Sequence, residues 1–219
     1  MHLYWISPLA ALLLAALLWA EQDRRPGRVL PIKAALSALF VLLALLLPHP
    51  LPAYYLPVLY GLCLGLVGDV CLALPHPAAF RAGLLAFLLG HLAYVYAFAA
   101  LVRPAHWINP GFMLLVGAGV WIFWWLRPRL GRLKWPVIAY IVAISLMLAG
   151  AWAIWLRSAL KPGLDWAILL GALCFYLSDL CVARDRFVKT QYRNRWLGLP
   201  LYYAGQFLLA WSVGLGAAI

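Results

Sequence analysis

The chain has 219 residues, of which 67% are hydrophobic and only 11% are charged, and its mean hydropathy is +0.94. Ordinary soluble domains are about 45–50% apolar and about 25% charged, so this sequence has too few polar residues to cover a water-soluble protein of its size. The composition excludes a cytosolic enzyme, a secreted disulfide scaffold and a disordered chain. We predict an all-α, polytopic membrane protein.

The charge is strongly basic, with 17 Lys and Arg, 6 Asp and Glu, and a net charge of +11. In a membrane protein, such an excess is typical of cytoplasmic loops that face anionic lipid. The sequence contains no zinc-finger spacing, Gly-rich phosphate loop or basic–aromatic patch, so nucleic acid is not an expected partner. The four cysteines lie in apolar stretches and are expected to be buried free thiols: Cys63, Cys71, Cys174 and Cys181.

Eight apolar segments are long enough to cross a bilayer, which takes about 20 residues. They cover 3–20, 32–47, 55–74, 80–101, 111–126, 136–156, 166–183 and 197–217. Prolines such as Pro31, Pro48 and Pro110 mark several boundaries. No Lys or Arg precedes the first segment, so we expect a retained helix and no cleavable signal peptide. Because the connections are short, we predict one domain over residues 1–219, a bundle of eight transmembrane helices.

The basic residues alternate between connections. Those after the first, third, fifth and seventh segments hold 14 of them: Arg24, Arg25, Arg28, Lys33, Arg81, Arg127, Arg129, Arg132, Lys134, Arg184, Arg186, Lys189, Arg193 and Arg195. The other connections hold three: Arg103, Arg157 and Lys161. Since basic residues favour the cytoplasmic side, this pattern predicts eight spans with both termini on the non-cytoplasmic side.

The stretch from Gly61 to Cys71 resembles the stretch from Gly171 to Cys181, at an offset of 110 residues. The offset aligns Asp69 with Asp179. It is consistent with an ancient duplication of four plus four helices, over 1–109 and 110–219.

Two acidic residues, Asp69 and Asp179, lie within apolar segments, several residues from the end. An intramembrane carboxylate costs about 2.5–3.5 kcal/mol, and such residues face a bundle interior or a wet cavity and usually have a function. Both lie about 7–8 Å from the cytoplasmic end at 1.5 Å per residue. Three polar residues of the last segment fall at a similar depth: Tyr202, Tyr203 and Gln206. His91 lies nearer the midplane. We therefore predict a cavity that opens toward the cytoplasmic leaflet.

Each of these residues also has a structural interpretation. A buried carboxylate or His91 can be a hydrogen-bonded core group, and Tyr94 at i+3 shares the helix face of His91. Ser178 can bond backward to a carbonyl, and no Gly-x-Ser-x-Gly motif favours it as a nucleophile. His91, Asp69 and Asp179 share no i,i+3 or i,i+4 spacing, so no metal site is predicted.

Four short motifs at these positions resemble the lysoplasmalogenase (YhhN-like) membrane family. They are Gly65-Leu-Val-Gly68-Asp69, the spaced pattern Phe80, Gly83, Phe87, His91 and Tyr94, the pattern Gly171, Phe175, Ser178 and Asp179, and Tyr202-Tyr203-Ala-Gly-Gln206. The likeness covers nearly the whole chain in the same order. The likeness is incomplete at the second segment. The family tends to carry Lys-Pro there, whereas Lys33 of this chain is followed by Ala34. The resemblance therefore carries no role over to Lys33.

The resemblance implies hydrolysis of the vinyl ether bond of a lysoplasmalogen, a lysophospholipid, to a fatty aldehyde and glycerophosphoethanolamine or glycerophosphocholine. It implies no metal or organic cofactor. A vinyl ether resists bases but is cleaved by acid through an oxocarbenium ion, as in glycosidases, which use two carboxyl groups. One carboxyl must stay protonated, which burial beside a second carboxylate favours, and the other must stay ionised.

We hypothesise that Asp69 and Asp179 form this pair, with the acid and the base unassigned. His91 would orient the pair or balance its charge, and the polar groups of the last segment would position water or the glycerol hydroxyl. Arg81 and Arg184 are the nearest candidates for binding the phosphate. Two alternatives remain: a proton-coupled transporter of lipid or small molecules, and a non-catalytic lipid-binding protein. The expected location is a bacterial inner membrane, and the oligomeric state stays open.

Overall fold

The computed structural model describes residues 3–23, 26–157 and 163–215. These residues form eight α-helices and no strand: α1 (Ile6–Gln22), α2 (Pro26–Leu46), α3 (Pro52–Ala73), α4 (Pro77–Leu101), α5 (Pro110–Leu126), α6 (Lys134–Arg157), α7 (Leu164–Ala183) and α8 (Tyr192–Leu215). A π-helical turn, Arg184–Val188, follows α7. The prediction of an all-α membrane protein is confirmed. Arg24, Arg25 and Lys161, which entered the topology argument, lie outside the described residues.

Within the described ranges, the structure has six helices that are long and apolar enough to cross a membrane, belonging to α2 through α7. Helix α1 is apolar but has only 17 residues. Helix α8 begins with the polar run Arg193-Asn194-Arg195 before its apolar part. Eight crossings, the side on which the termini lie and the internal duplication therefore stay predictions.

Helix α2 begins earlier than predicted. Pro31 was expected to mark its boundary but lies inside the helix, which starts at Pro26. Pro31 is the sixth residue of the helix, so it lies beyond the first four N–H groups, which have no partner within a helix, and it removes one helical hydrogen bond, to the carbonyl of Gly27. As a consequence, Lys33 is a buried residue of α2 and does not belong to a loop, as the charge count had assumed.

The helices pack in two tight pairs, α3 with α4 and α7 with α8. Helix α2 contacts both α3 and α8, and α6 contacts both α4 and α7, whereas α5 packs mainly against α6. Three glycines of α3 permit the close approach of large side chains. A Cβ atom at Gly61, Gly65 or Gly68 would come within 2.5–2.6 Å of Tyr94, Gln206 or Phe87, respectively.

The cysteines are free thiols, but the expectation that they are buried is wrong. Cys63 is exposed on the surface of the bundle and the other three are half-buried. An apolar helix face that meets lipid has the same composition as one that meets protein, so the sequence does not separate the two environments.

Candidate active site

A cavity of about 810 Å³ opens at one end of the bundle, where α1, α3 and α7 end and α4 and α8 begin. Its wall includes both intramembrane carboxyl groups, Asp69 of α3 and Asp179 of α7. Most of the remaining wall is apolar, with residues such as Leu84, Ile122 and Ile144. The cavity thus joins polar groups to a surface suited to hydrocarbon.

Asp69 is 2% exposed and accepts three hydrogen bonds. Lys33 Nζ donates to Oδ1 at 3.3 Å, while Ser37 Oγ and Tyr202 Oη donate to Oδ2 at 2.6 and 2.7 Å. Lys33 and Ser37 are four residues apart on α2 and therefore share one face of that helix. Three donors, one of them a cation, suit an ionised carboxylate.

The bonds to Asp69 continue through α8 to α4. Tyr94 Oη donates to Gln206 Oε1 at 2.7 Å, and Gln206 Nε2 donates to Tyr202 Oη at 3.2 Å. Tyr203 Oη lies 3.5 Å from Ser37 Oγ. Tyr94, Tyr202, Tyr203 and Gln206, which the sequence singled out, therefore all belong to the surroundings of Asp69.

Asp179 has different partners. Tyr140 Oη donates to its Oδ2 at 3.0 Å, and Nε2 of the fully buried His91 lies 3.4 Å from the same oxygen. The His91 ring packs edge-on against Tyr140 and Phe175, with ring centres 5.0 and 4.7 Å apart. The Asp179 side chain is 17% exposed, and its Oδ1 has no hydrogen-bond partner among the described residues.

The two carboxyl groups line one cavity but do not form a bonded pair. No hydrogen bond or ion pair between described residues joins Asp69 to Asp179. Phe175 lies between the two groups of partners, with its ring centre 5.3 Å from that of Tyr202 and close to His91. Each carboxyl group therefore has its own electrostatic environment, which lets one be protonated while the other is ionised.

The remaining predicted residues form no hydrogen bond or ion pair with the two carboxyl groups within the described part of the chain. Ser178 Oγ donates to the carbonyl of Gly198 at 2.9 Å and so joins α7 to α8. Arg184 donates to Asn194 Oδ1 at 2.7 Å, and Arg81 is exposed. Neither arginine is among the residues that line the cavity.

Two other arginines line the mouth of the cavity, Arg186 and Arg195. The Arg186 guanidinium lies 3.8 Å from the centre of the Phe80 ring. Arg195 donates to Glu21 at 3.0 Å and to Asp185 at 3.4 Å. The mouth therefore presents charges of both signs.

Lys33, Ser37 and Tyr140 were missed as site residues. The signal for the first two was present in the sequence, because a Lys and a Ser four residues apart stand on one face of an otherwise apolar stretch. Tyr140 carried no such signal, since a single tyrosine is common near the end of an apolar helix. In the described part of the chain, no group of three His, Cys, Asp or Glu residues is placed to hold a metal ion.

The bundle and its cavity define an all-α membrane protein with an internal cavity whose wall is largely apolar and carries a few polar groups. Comparison with known proteins specifies it further: a sequence model of the YhhN family matches residues 28–213. The chain belongs to the YhhN family.

Curated relatives cover most of the chain. It is 30% identical to "Lysoplasmalogenase TMEM86B" of Sus scrofa over 212 residues, which is 95% of this chain and 86% of the relative. It is 30% identical to the Homo sapiens protein of the same name, over 95% of this chain and 85% of the relative. It is 32% identical to "Lysoplasmalogenase" of Mycobacterium bovis, over 78% of this chain and 64% of the relative. No solved structure matches the chain.

Proposed function

We propose that this chain is a lysoplasmalogenase, an ether hydrolase that cleaves the vinyl ether of a lysoplasmalogen. The products are a fatty aldehyde and glycerophosphoethanolamine or glycerophosphocholine. The observation that carries the proposal is one largely apolar cavity with two carboxyl groups in different hydrogen-bonding environments. The names of the relatives support the same activity.

The chemistry requires a proton donor. Protonation of the distal alkene carbon converts the vinyl ether into an oxocarbenium ion, and water adds to the carbon bonded to oxygen. The resulting hemiacetal collapses by breaking its bond to the glycerol oxygen, which takes the hydroxyl proton. One water is consumed, and the acid is regenerated when the attacking water loses a proton.

Asp179 is the proposed proton donor. Its side chain is more open to the cavity than that of Asp69, at 17% against 2% exposed. Its Oδ2 contacts Tyr140 and His91, while its Oδ1 is free to carry a proton. After proton transfer, Tyr140 and His91 stabilise the carboxylate, which then accepts a proton from water.

Asp69 is the proposed ionised partner. Lys33, Ser37 and Tyr202 hold it as a carboxylate, and its negative charge stabilises the oxocarbenium ion across the cavity. Gln206 and Tyr94 are positioning residues, because they fix the Tyr202 hydroxyl.

The cavity also suits the shape of a lysophospholipid. Its mouth carries Arg186 and Arg195 for the phosphate, and its apolar wall accepts the hydrocarbon chain. The proposed phosphate site therefore uses these two arginines in place of Arg81 and Arg184. We place the mouth on the cytoplasmic side of a bacterial inner membrane, because the predicted cytoplasmic connections lie at this end of the bundle.

The test is mass spectrometry of lysolipids incubated with the purified protein in detergent. We expect release of a free aldehyde from a vinyl-ether lysolipid and no fatty acid from the matching ester lysolipid. Release of fatty acid would indicate an ester hydrolase. Transport of intact lysolipid into liposomes without aldehyde release would instead support the carrier alternative.

A further inference from the structure

The contact between α5 and α6 forms a second apolar feature of the bundle. Helix α5 packs mainly against α6 and is exposed on its other sides. A second, almost entirely apolar groove of about 300 Å³ runs along this contact. It is therefore a candidate for occupation by lipid.

The groove adjoins the active-site cavity. Ile141 of α6 lines both hollows. On α5, Ile122 and Leu126 line the cavity, while the neighbouring Gly119 and Phe123 line the groove. An apolar chain that leaves the cavity between α5 and α6 therefore enters the groove past the Ile141 side chain.

The dimensions fit a lipid chain. The residues of α5 that line the groove run from Phe112 to Phe123, a length of about 16 Å at 1.5 Å per residue. This is close to half of the hydrocarbon thickness of a bilayer, which is about 30 Å in total. The groove runs from the level of the cavity toward the opposite end of the bundle, the direction that a lipid tail takes when its head group lies at the mouth.

We propose that the α5–α6 groove binds the hydrocarbon tail of the lysolipid substrate and releases the fatty aldehyde sideways into the bilayer. This inference rests on the proposed function for the identity of the substrate. The polar glycerophospho product leaves through the charged mouth. Gly119 and Val142 then determine which chain lengths the enzyme accepts.

Two glycines of α5 provide a matched pair of variants. A Cβ atom at Gly119 would lie 3.2 Å from Ile141 and 3.6 Å from Ser145, inside the groove, whereas a Cβ at Gly117 would meet nothing within 4 Å. Gly119→Leu fills the groove, and Gly117→Leu adds the same side chain to the lipid-facing surface. Val142→Trp fills the groove from α6, starting from a side chain that is 52% exposed and lines it.

The first measurement compares aldehyde release from vinyl-ether lysolipids with 18-carbon and 8-carbon chains. Gly119→Leu and Val142→Trp should lower kcat/KM for the long chain by about tenfold or more, and change that for the short chain little. Gly117→Leu should change neither. Equal loss for both chain lengths in both groove variants, or no loss in either, overturns the proposal.

The second measurement does not depend on turnover. A non-cleavable alkyl-ether lysophospholipid with a diazirine near the end of its tail is photo-crosslinked to the wild-type protein, and the labelled peptides are identified by mass spectrometry. We expect labelling concentrated on α5 and α6, and reduced by Gly119→Leu. Labelling spread evenly over all lipid-facing helices would contradict the proposal that the groove binds the tail. Labelling of the groove without aldehyde release would reject the proposed function alone.

Discussion

Lys33 Nζ lies 3.3 Å from Asp69 Oδ1 in an ion pair whose two side chains are 10% and 2% exposed. The pair joins α2 to α3 and includes a lysine that the charge pattern had assigned to a loop. Removing one partner of a buried ion pair leaves an uncompensated charge, which is far more costly than removing a surface pair. We therefore expect removal of Lys33 to affect both the stability of the protein and the proposed reaction.

Replacement of Lys33 by methionine should destabilise the protein by about 3–5 kcal/mol and lower turnover, because Asp69 loses its counter-charge. Thermal unfolding in detergent and aldehyde release measure the two effects. The matched control is Lys189→Met, at an exposed side chain in the turn before α8, which should alter neither. Wild-type stability in Lys33→Met would show that the ion pair does not form.

Tyr140→Phe removes the hydroxyl that donates to Asp179 while keeping the ring that packs on His91. Loss of a hydrogen bond to a charged group costs about 1.5–3 kcal/mol, so kcat should fall by about 10- to 150-fold. Tyr96→Phe, on the exposed face of α4, is the control. An unchanged kcat in Tyr140→Phe would separate this hydroxyl from the reaction.

Gly65→Ala should disturb the hydrogen bonds around Asp69 without removing any polar group. The new methyl would lie 2.5 Å from Gln206 Nε2 and 3.3 Å from Tyr202 Oη, so Gln206 has to move and its bond to Tyr202 weakens. Overpacking of this kind costs about 1–3 kcal/mol. We expect a lower melting temperature and lower kcat, against no change in Gly117→Ala, where space is open. Normal activity would mean that Gln206 is not a positioning residue.

Arg186→Gln tests the phosphate site at the mouth. Because Arg186 lines the cavity and forms no ion pair with a described residue, its loss should raise KM with little change in kcat, the pattern of lost substrate binding. Arg81→Gln, at an exposed arginine away from the cavity wall, is the matched control. The reverse result, with KM raised only in Arg81→Gln, would indicate that Arg81, as the sequence suggested, and not Arg186 binds the phosphate.

The sequence predicted the helices well, because hydropathy, length and proline positions are local properties of the chain. All eight apolar segments correspond to helices. The predicted start of α2 was wrong, because Pro31 lies within the helix and does not mark its boundary. The same reasoning identified Asp69, Asp179 and His91, since polar groups in apolar helices are conspicuous.

The partners of those groups could not be predicted with equal success, because they depend on how helices distant in sequence pack. Lys33 and Ser37 meet Asp69 only because α2 packs on α3 and α8. The partners of Asp179 likewise depend on the packing of α6 against α4 and α7, which brings Tyr140 and His91 to this carboxyl group. The sequence does not show which arginines near the helix ends point toward the cavity, so Arg81 and Arg184 could not be distinguished from Arg186 and Arg195.

The most direct test of the catalytic role of Asp179 is the rate of aldehyde release by Asp179→Asn, compared with Asp165→Asn at the opposite end of α7. Asp165 accepts hydrogen bonds from backbone N–H groups at the helix start through Oδ1, and the Oδ1 of an asparagine can accept the same bonds. We expect Asp179→Asn to lose about 10²–10⁴-fold in kcat, the contribution of a general acid, while it still folds and binds the non-cleavable lysolipid. Turnover by Asp179→Asn within a few-fold of that of Asp165→Asn would contradict the account.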